Sequence, residues 1–99
     1  MFTYVVTAEF ANDDVREEYL AWMRGGHVAK VLELGAAVSG QVVLLEDGRV
    51  EGRYVFPDRD TFKAYESGPA VTLRADGARF TESGKVVFTR CTGEVLFGT

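Results

Sequence analysis

Residues 22–27 contain the side chains of this sequence that are best suited to chemistry. The only tryptophan and the only histidine of the chain, Trp22 and His27, lie on either side of the pair Gly25-Gly26. An indole ring, an imidazole that titrates near neutral pH and a helix weakened by two glycines could together line a small-molecule pocket. The same pattern fits a bend in a helix with a packed indole, so these residues alone assign no reaction.

His27 is a candidate general acid or base, or a ligand for haem or a metal ion. Each of these roles needs a second polar group that fixes the tautomer of the ring, and the sequence places none nearby. The pattern therefore favours a structural histidine that bridges helix and strand by hydrogen bonds. Trp22 lies on the apolar stripe of its helix, which favours a core or interface anchor over a platform for substrate.

Two arginines and a tyrosine are further candidates for ligand binding. Arg53 and Arg90 could each bind a carboxylate inside a dimer. Glu51 and Glu94 lie two and four residues away on the same strand sides, which favours ion pairs over a ligand site. Tyr54 has the spacing of a core residue and becomes a pocket wall only if the helix side of the sheet is hollow.

Composition and charge exclude several classes of function. The chain has 15 acidic and 11 basic residues and a net charge of -4, the wrong sign for attracting nucleic acid. No apolar run approaches the roughly 20 residues of a membrane span, and we expect a cytoplasmic protein. The single Cys91 has no partner at metal-ligand spacing, so we predict no metal site and no cofactor.

The first third of the chain predicts a strand followed by one long helix. Over residues 2–10, the even positions place aromatic and aliphatic side chains on one face of a strand. Asn12 is a candidate helix cap, and Asp13-Asp14 suits the positive end of the helix dipole. Apolar residues then recur at helical spacing, with a weak point at Gly25-Gly26, as far as the stop signal Gly35.

The remaining residues predict a hairpin, a broken helical region and a last strand. The valine-rich runs 37–46 and 49–56 are joined at Asp47-Gly48, a strong signal for a tight turn. Pro57 ends the second run, and Asp58 caps a helical region that is interrupted at residues 67–69. Residues 85–97 alternate again and predict the strand that completes the sheet.

The order β-α-β-β-α-β predicts one α+β domain of the ferredoxin-like type over residues 1–99, with helices on one face of a four-stranded antiparallel sheet. The second strand carries the apolar pairs Val42-Val43 and Leu44-Leu45, which predicts burial on both sides. A second copy of the sheet is the simplest cover for the open face, so we predict a homodimer built as a dimeric α+β barrel. Its shared interior would hold Thr7, Glu9, Arg53 and Arg90.

Several short patterns together resemble a known family. They are Trp22-Met23, His27, Val31, Gly35, Tyr54-Val55-Phe56, Pro69-Ala70 and Leu73-Arg74. Over nearly its whole length the chain resembles an uncharacterised bacterial family of domains of unknown function of about 100 residues. That family is similar in element order to the dimeric α+β barrel superfamily, which includes cofactor-free monooxygenases, haem-degrading enzymes, and dismutase-like and cyclase-like proteins. The resemblance implies the fold and the dimer, and no catalytic motif of those enzymes carries over.

Three functions remain open from the sequence. The first is a homodimer that binds a small apolar or acidic metabolite in a cleft near Trp22 and His27, with Tyr54 and Arg53 as further binding residues. The second is a cofactor-independent enzyme, similar to a monooxygenase or a cyclase, that acts on an aromatic molecule with His27 as the catalytic group. The third is an interaction module without a small-molecule site.

Overall fold

A four-stranded antiparallel sheet forms the frame of the protein in the computed structural model, which describes residues 1–98. The strands are β1 (Phe2–Phe10), β2 (Ser39–Leu44), β3 (Val50–Phe56) and β4 (Val86–Glu94). Their order in the sheet is β2-β3-β1-β4, and every neighbouring pair is antiparallel. The predicted order of elements and the predicted antiparallel sheet are confirmed.

Five α-helices and one π-helical turn connect these strands. They are α1 (Asp13–Trp22), the π turn (Met23–His27), α2 (Val28–Gly35), α3 (Arg59–Ser67), α4 (Pro69–Asp76) and α5 (Ala78–Glu82). Of the helices in residues 1–98, none combines the length and the apolar character that crossing a membrane requires. The helical region between β3 and β4 is broken twice, before Pro69 as predicted and again at Gly77, which the sequence analysis did not predict.

Side-chain caps begin the two principal helical regions at the predicted residues. The Asn12 Oδ1 atom accepts a hydrogen bond of 3.0 Å from the Val15 N–H, and the Asp58 Oδ1 atom accepts one of 2.7 Å from the Thr61 N–H. Each bond satisfies an N–H group that has no partner within its own helix. Both caps therefore fix where the chain leaves a strand and turns onto the sheet.

The core lies between the helices and one face of the sheet. Alternation along β1 buries Phe2, Tyr4 and Ala8 against the helical layer. Across the sheet, Tyr54 pairs with Tyr4 and Phe56 with Phe2, so the same face continues onto β3. Because no helix covers the opposite face, the odd-numbered side chains of β1 stay partly or fully exposed in the single chain.

The hairpin between β2 and β3 turns at the predicted dipeptide. The Leu45 N–H donates to the Arg49 carbonyl at 2.8 Å, and the Gly48 N–H donates to the Leu45 carbonyl at 3.0 Å. Gly48 has a φ of 91°, a backbone conformation that residues with a Cβ rarely adopt. The prediction of a tight turn at Asp47-Gly48 is therefore confirmed.

The single chain leaves β2 partly exposed, so the prediction that it is buried on both sides stays a prediction about the dimer. β2 is an edge strand that pairs only with β3 among the described strands. Val42 and Val43 are half-buried, and Leu44 is 54% exposed. The predicted cover for its second face is the sheet of a partner copy.

The outer strands are shorter than their apolar runs suggested. β2 spans Ser39–Leu44 instead of residues 37–46, and β4 ends at Glu94 instead of Phe97. The Val95 N–H still donates to the Met1 carbonyl at 2.9 Å, but Leu96 and Phe97 are each 90% exposed. The pairing stops here because β1, the neighbour of β4, begins at Phe2.

Arg90 lies on the face opposite to the one predicted. It pairs with Val6 in the register between β1 and β4, and therefore points to the helical side. Placing it with Thr7 and Arg53 in a shared dimer interior was wrong. The spacing from Val86 and Phe88 already indicates this face, because positions two apart in a strand point the same way.

Candidate functional site

A cavity of about 240 Å³ separates the helical layer from the sheet. Its walls come from β1, β3 and β4 on one side and from α1, the π turn, α3, α4 and α5 on the other. The residues that line it are Tyr4, Val6, Tyr19, Trp22, Met23, His27, Tyr54, Tyr65, Leu73, Arg74, Gly77, Phe80, Thr81, Phe88 and Arg90. Arg74, Thr81 and Arg90 are exposed, so this end of the cavity faces solvent.

Aromatic rings make up most of the cavity wall. Tyr19 is 5.3 Å from Phe80, 5.8 Å from Trp22 and 5.8 Å from Phe88, measured between ring centroids. The planes of Tyr19 and Phe80 are at 89° to each other, an edge-to-face arrangement that suits the ring quadrupoles. These contacts form a continuous aromatic wall from α1 across α5 to β4.

Gly77 sets the position of the indole. A Cβ atom at this residue would lie 2.8 Å from Cη2 of Trp22, closer than two carbon atoms can approach. The absence of a side chain between α4 and α5 therefore lets Trp22 reach the cavity. Sequence analysis identified Trp22 but gave no indication of this contact.

His27 is stacked on Trp22 by the π turn. The two ring centroids are 4.0 Å apart and the planes are tilted by 23°. The two residues are five positions apart, and in a regular α-helix residues at this spacing point in different directions. The wider turn with i→i+5 hydrogen bonds brings them together.

The environment keeps the His27 ring neutral at physiological pH. Burial lowers the pKa of His27 to about 4, while the charge of Asp76 favours protonation and that of Lys30 opposes it. No protein group within residues 1–98 forms a hydrogen bond with the ring, so the predicted bridge between helix and strand is not seen. A neutral imidazole in this position can accept a proton or a hydrogen bond.

A smaller pocket of about 100 Å³ lies beside the same ring pair. Its lining residues are Trp22, Gly25, Gly26, His27, Lys30 and Asp76. The Lys30 Nζ atom is 3.8 Å from Asp76 Oδ2, and this ion pair closes the side of the pocket formed by α2 and α4. Trp22 and His27 belong to both pockets and form the boundary between them.

Tyrosine hydroxyl groups provide polar atoms inside an otherwise apolar wall. Burial raises the pKa of Tyr19 and of Tyr65 to about 12, and it also raises the pKa of Tyr54. These phenols therefore stay protonated and act as neutral hydrogen-bond donors. The Tyr54 hydroxyl is buried and has no partner within residues 1–98.

Arg90 enters the site through a bond with Tyr4. The Arg90 Nε–H donates to the Tyr4 Oη atom at 3.1 Å. Tyr4 is 5% exposed and packs 4.8 Å from the Phe62 ring, so it is a fixed acceptor. This arrangement holds the guanidinium at the open end of the cavity.

Arg53 lies outside this site, on the open face of the sheet. Its Nη2 atom is 2.6 Å from Glu51 Oε1, and its Nε–H donates to the same oxygen at 2.7 Å. Thr7 Oγ1 donates to the other Glu51 oxygen at 3.5 Å. The structure thus brings Trp22, His27 and Tyr54 to one cavity and leaves Arg53 on the other side of the sheet.

Sequence reasoning missed several cavity residues. Tyr19, Arg74 and Phe88 line the cavity but are not among the site residues that the sequence predicts. The strand alternation was a usable signal for Phe88, since it lies on the same face as Ala8 and two residues from Arg90. No comparable signal existed for Arg74, because the angle at which α4 crosses the sheet is set by tertiary packing.

Within residues 1–98, no group of three His, Cys, Asp or Glu side chains could hold a metal ion.

Known structures share this fold. A dimeric ferredoxin-like protein from an uncultured marine organism has a TM-score of 0.83 and 19% identity, covering 99% of this chain and 97% of that one. A protein from Nitrosomonas europaea that is proposed to be an antibiotic biosynthesis monooxygenase has a TM-score of 0.68 and 18% identity over 98% of this chain and 100% of that one. SnoaB, a cofactor-independent oxygenase from Streptomyces nogalater, has a TM-score of 0.68 and 13% identity, covering 98% of this chain and 95% of that one. At these identities the likeness establishes the fold, which is α+β and ferredoxin-like.

A comparison with protein families gives a more specific result. No curated protein matches the chain at a significant level. One family model matches residues 1–95 of the 99 residues. The chain therefore belongs to the family described as Domain of unknown function (DUF4286).

Proposed function

We propose that the protein binds a small aromatic molecule in the cavity between its sheet and its helices. The observation that carries this proposal is the wall itself, which combines about 240 Å³ of space with aromatic side chains on several sides. Concave apolar sites with a few polar groups are the usual form of small-molecule sites. The volume suits a ligand of about two fused rings.

The rings of the wall favour a flat partner over a flexible aliphatic one. Tyr19 and Trp22 present faces and edges at fixed angles, and a planar ring can complete an offset or edge-to-face contact with them. Tyr54 adds a buried hydroxyl without a partner, which an oxygen atom of the ligand could satisfy. These features support Trp22, His27 and Tyr54 as ligand-binding residues.

Fluorescence of Trp22 tests the proposal directly, because it is the only tryptophan of the chain. Titration with 2-naphthol, which is neutral at pH 7, should give saturable quenching and a higher Tm. Thr81→Phe adds a ring at the cavity mouth and should weaken binding at least tenfold. The matched control Thr72→Phe, also exposed but outside the cavity, should bind as the unmodified protein does. Quenching that does not saturate, or equal binding by the two variants, would contradict the proposal.

A cofactor-independent oxygenase is the second candidate function. Two structural neighbours support it, one described as a cofactor-independent oxygenase and one proposed to be a monooxygenase. In this chain His27 is the candidate base, because its ring lies at the cavity and is unprotonated at neutral pH, although the burial that lowers its pKa also makes it a weaker base than a free histidine. For a two-ring phenol such as 1-naphthol, the balanced reaction with O₂ gives 1,4-naphthoquinone and water.

Oxygen consumption separates this second function from simple binding. An oxygenase should consume O₂ in the presence of 1-naphthol in proportion to enzyme concentration, and His27→Phe should abolish most of that rate. Arg59→Gln, at an exposed residue far from the cavity, should keep the rate. Uptake no faster than without protein would leave binding as the function.

We also propose that two copies associate through the open faces of their sheets. In the single chain this face carries half-buried valines on β1, β2 and β3 beside the Arg53–Glu51 pair. Two structural neighbours are described as dimeric ferredoxin-like proteins, which supports the same assembly here. The dimer would cover this face and leave the cavity, on the other side of the sheet, open to solvent.

A further inference from the structure

We propose that the ligand is an aromatic anion and that Arg90, oriented by Tyr4, binds its acidic group at the mouth of the cavity. This inference rests on the proposed binding of a small aromatic molecule and specifies the charge of that molecule. It concerns residues on the helix side of the sheet, away from Arg53 and from the proposed dimer face. The supporting observations are the sign of the charges at the mouth, the orientation of Arg90 and the lack of an internal counter-ion.

The cavity is basic in an acidic protein. The chain has 15 Asp and Glu residues against 11 Lys and Arg residues, yet the described lining of the cavity includes Arg74 and Arg90 and no carboxylate. Both arginines lie at the exposed end, where a ligand would enter. A mouth with one sign of charge raises the local concentration of oppositely charged ligands.

Neither arginine is neutralised by a neighbour within residues 1–98. The ion pairs of the described residues involve Arg16, Lys30, Arg49 and Arg53, and neither Arg74 nor Arg90 is among them. Glu94, the acidic residue on the same strand side as Arg90, is four positions away, or about 13 Å along an extended strand. The guanidinium groups are therefore free to bind an external anion.

The bond between Arg90 and Tyr4 prepares the guanidinium for this role. Only the Nε–H is used, at 3.1 Å from the Tyr4 Oη atom, which leaves the two terminal nitrogens for a bidentate contact with a carboxylate. Tyr4 accepts in this bond, so its own hydroxyl proton can be donated to the same anion. A buried phenol thus fixes the arginine and adds a third donor beside it.

The ring of the ligand would extend from this point into the aromatic wall. Phe88 lies two residues from Arg90 on the same strand face, and the Arg90 Cζ atom is 5.9 Å from the centre of the Phe88 ring. Tyr19 stands next to Phe88 with a centroid distance of 5.8 Å. An acidic group at Arg90 therefore places an attached ring system beside Phe88 and Tyr19, with Trp22 behind them.

Three ligands of equal size and different charge test the inference. The dissociation constants of 2-naphthoate, 2-naphthylmethanol and 2-naphthylmethylamine are measured by quenching of Trp22 and by calorimetry. The anion should bind at least tenfold more tightly than the alcohol, and the amine more weakly than both. The preference for the anion should decrease as the salt concentration rises.

Substitutions assign the preference to individual residues. Arg90→Gln should abolish the advantage of 2-naphthoate over 2-naphthylmethanol while leaving the Kd of the alcohol within about twofold. Tyr4→Phe should reduce the advantage in part, because Arg90 keeps its charge but loses its fixed orientation. Arg59→Gln removes the same charge at a remote exposed site and should change neither constant. The Tm of each variant without ligand reports whether its fold is intact.

The outcomes separate this inference from the proposed function. Equal binding of the acid and the alcohol by the unmodified protein would overturn the anion assignment and leave aromatic binding in place. An unchanged preference in Arg90→Gln would overturn the role of Arg90. Failure of all three ligands to bind would overturn the proposed function itself. The comparison of the three ligands needs no variant, so it decides the charge preference even if Arg90→Gln does not fold.

Discussion

At the level of single residues, His27 links the stability of the fold to pH. Burial lowers its pKa to about 4 in the folded chain, whereas an exposed histidine titrates near 6.5. Between these values the unfolded state binds the proton first, so the free energy of unfolding falls as the pH drops from about 6.5 to about 4. Above 6.5 this contribution is fully present. His27→Phe keeps a ring against Trp22 and removes the titration.

Chemical denaturation of both proteins at about pH 7 and about pH 4.5 measures this contribution. The protein with His27 should lose on the order of 1 kcal/mol more than His27→Phe, a value reduced for the partial solvent access of the ring. The carboxylates titrate in both proteins, so their effect on the free energy of unfolding cancels in the comparison. Equal losses would show that the imidazole is not held in its neutral form by burial.

Tyr54 and Tyr4 provide a matched pair of hydroxyl groups. The Tyr54 hydroxyl is buried without a partner in the described chain, whereas the Tyr4 hydroxyl accepts a bond from Arg90. Tyr54→Phe should therefore leave the free energy of unfolding unchanged or raise it by up to about 1 kcal/mol, while Tyr4→Phe should lower it by roughly 0.5–1.5 kcal/mol. Denaturation of the ligand-free variants measures both. A loss above about 1 kcal/mol in Tyr54→Phe would mean that its hydroxyl has a partner, such as a bound water.

At the level of elements, the π turn decides how the site is built. Gly26 has a φ of 141°, a conformation that a residue with a Cβ rarely adopts, whereas Gly25 keeps a helical backbone. A Cβ at either position would have nothing within 4 Å, so steric contacts do not distinguish them. The difference between the two glycines is therefore one of backbone conformation alone.

Alanine substitutions at these neighbouring positions should have opposite effects. Gly25→Ala should raise the free energy of unfolding by roughly 0.5–1 kcal/mol, because alanine loses less backbone entropy in a helix. Gly26→Ala should lower it by roughly 1–3 kcal/mol, because the turn must strain or rearrange. It should also shift the Trp22 emission, since the stack with His27 depends on the turn. Changes of the same sign in both variants would contradict the geometry of the turn.

The sequence predicted those elements that local chemistry determines. Asn12 and Asp58 cap helices, and Asp47-Gly48 closes the hairpin, as expected from their types and positions. Gly25-Gly26 marked a weak point in a helix but gave no sign that the turn would widen and stack His27 on Trp22. Local composition shows where a regular helix is weak. Whether i→i+5 hydrogen bonds form at that point depends on how the surrounding side chains pack.

The candidate site was predictable only in part. Side chains alternate between the two faces of a strand, and this alternation decides which of the predicted residues can share the cavity. Tyr54 and Arg53 are neighbours in β3 and must point to opposite faces, so they cannot line one cavity. Arg90 was assigned to the wrong face although its spacing from Phe88 was visible in the sequence. The edge position of β2 and the approach of Trp22 to Gly77 depend on strand order and helix packing, which no local pattern encodes.

At the level of the whole molecule, the open face of the sheet and the exposed surface of the helices differ in what they should bind. Val87 on β4 and Val71 on α4 are each 60% exposed in the single chain. Val87 points to the open face, because it pairs with Glu9 and both lie opposite to the buried side chains of β1. The two valines therefore offer the same side chain and the same exposure in two different surroundings.

Light scattering on matched variants tests the proposed dimer. The unmodified protein at micromolar concentration should have about twice the mass of one chain. Val87→Glu would bury a charge between two sheets and should shift the protein to monomer, whereas Val71→Glu should leave the mass unchanged. Cys91 lies on the same face as Val87 and is exposed in the single chain, so iodoacetamide should modify it more slowly in the dimer than in Val87→Glu. A monomeric unmodified protein, or equal rates of modification, would place the contact elsewhere or remove it.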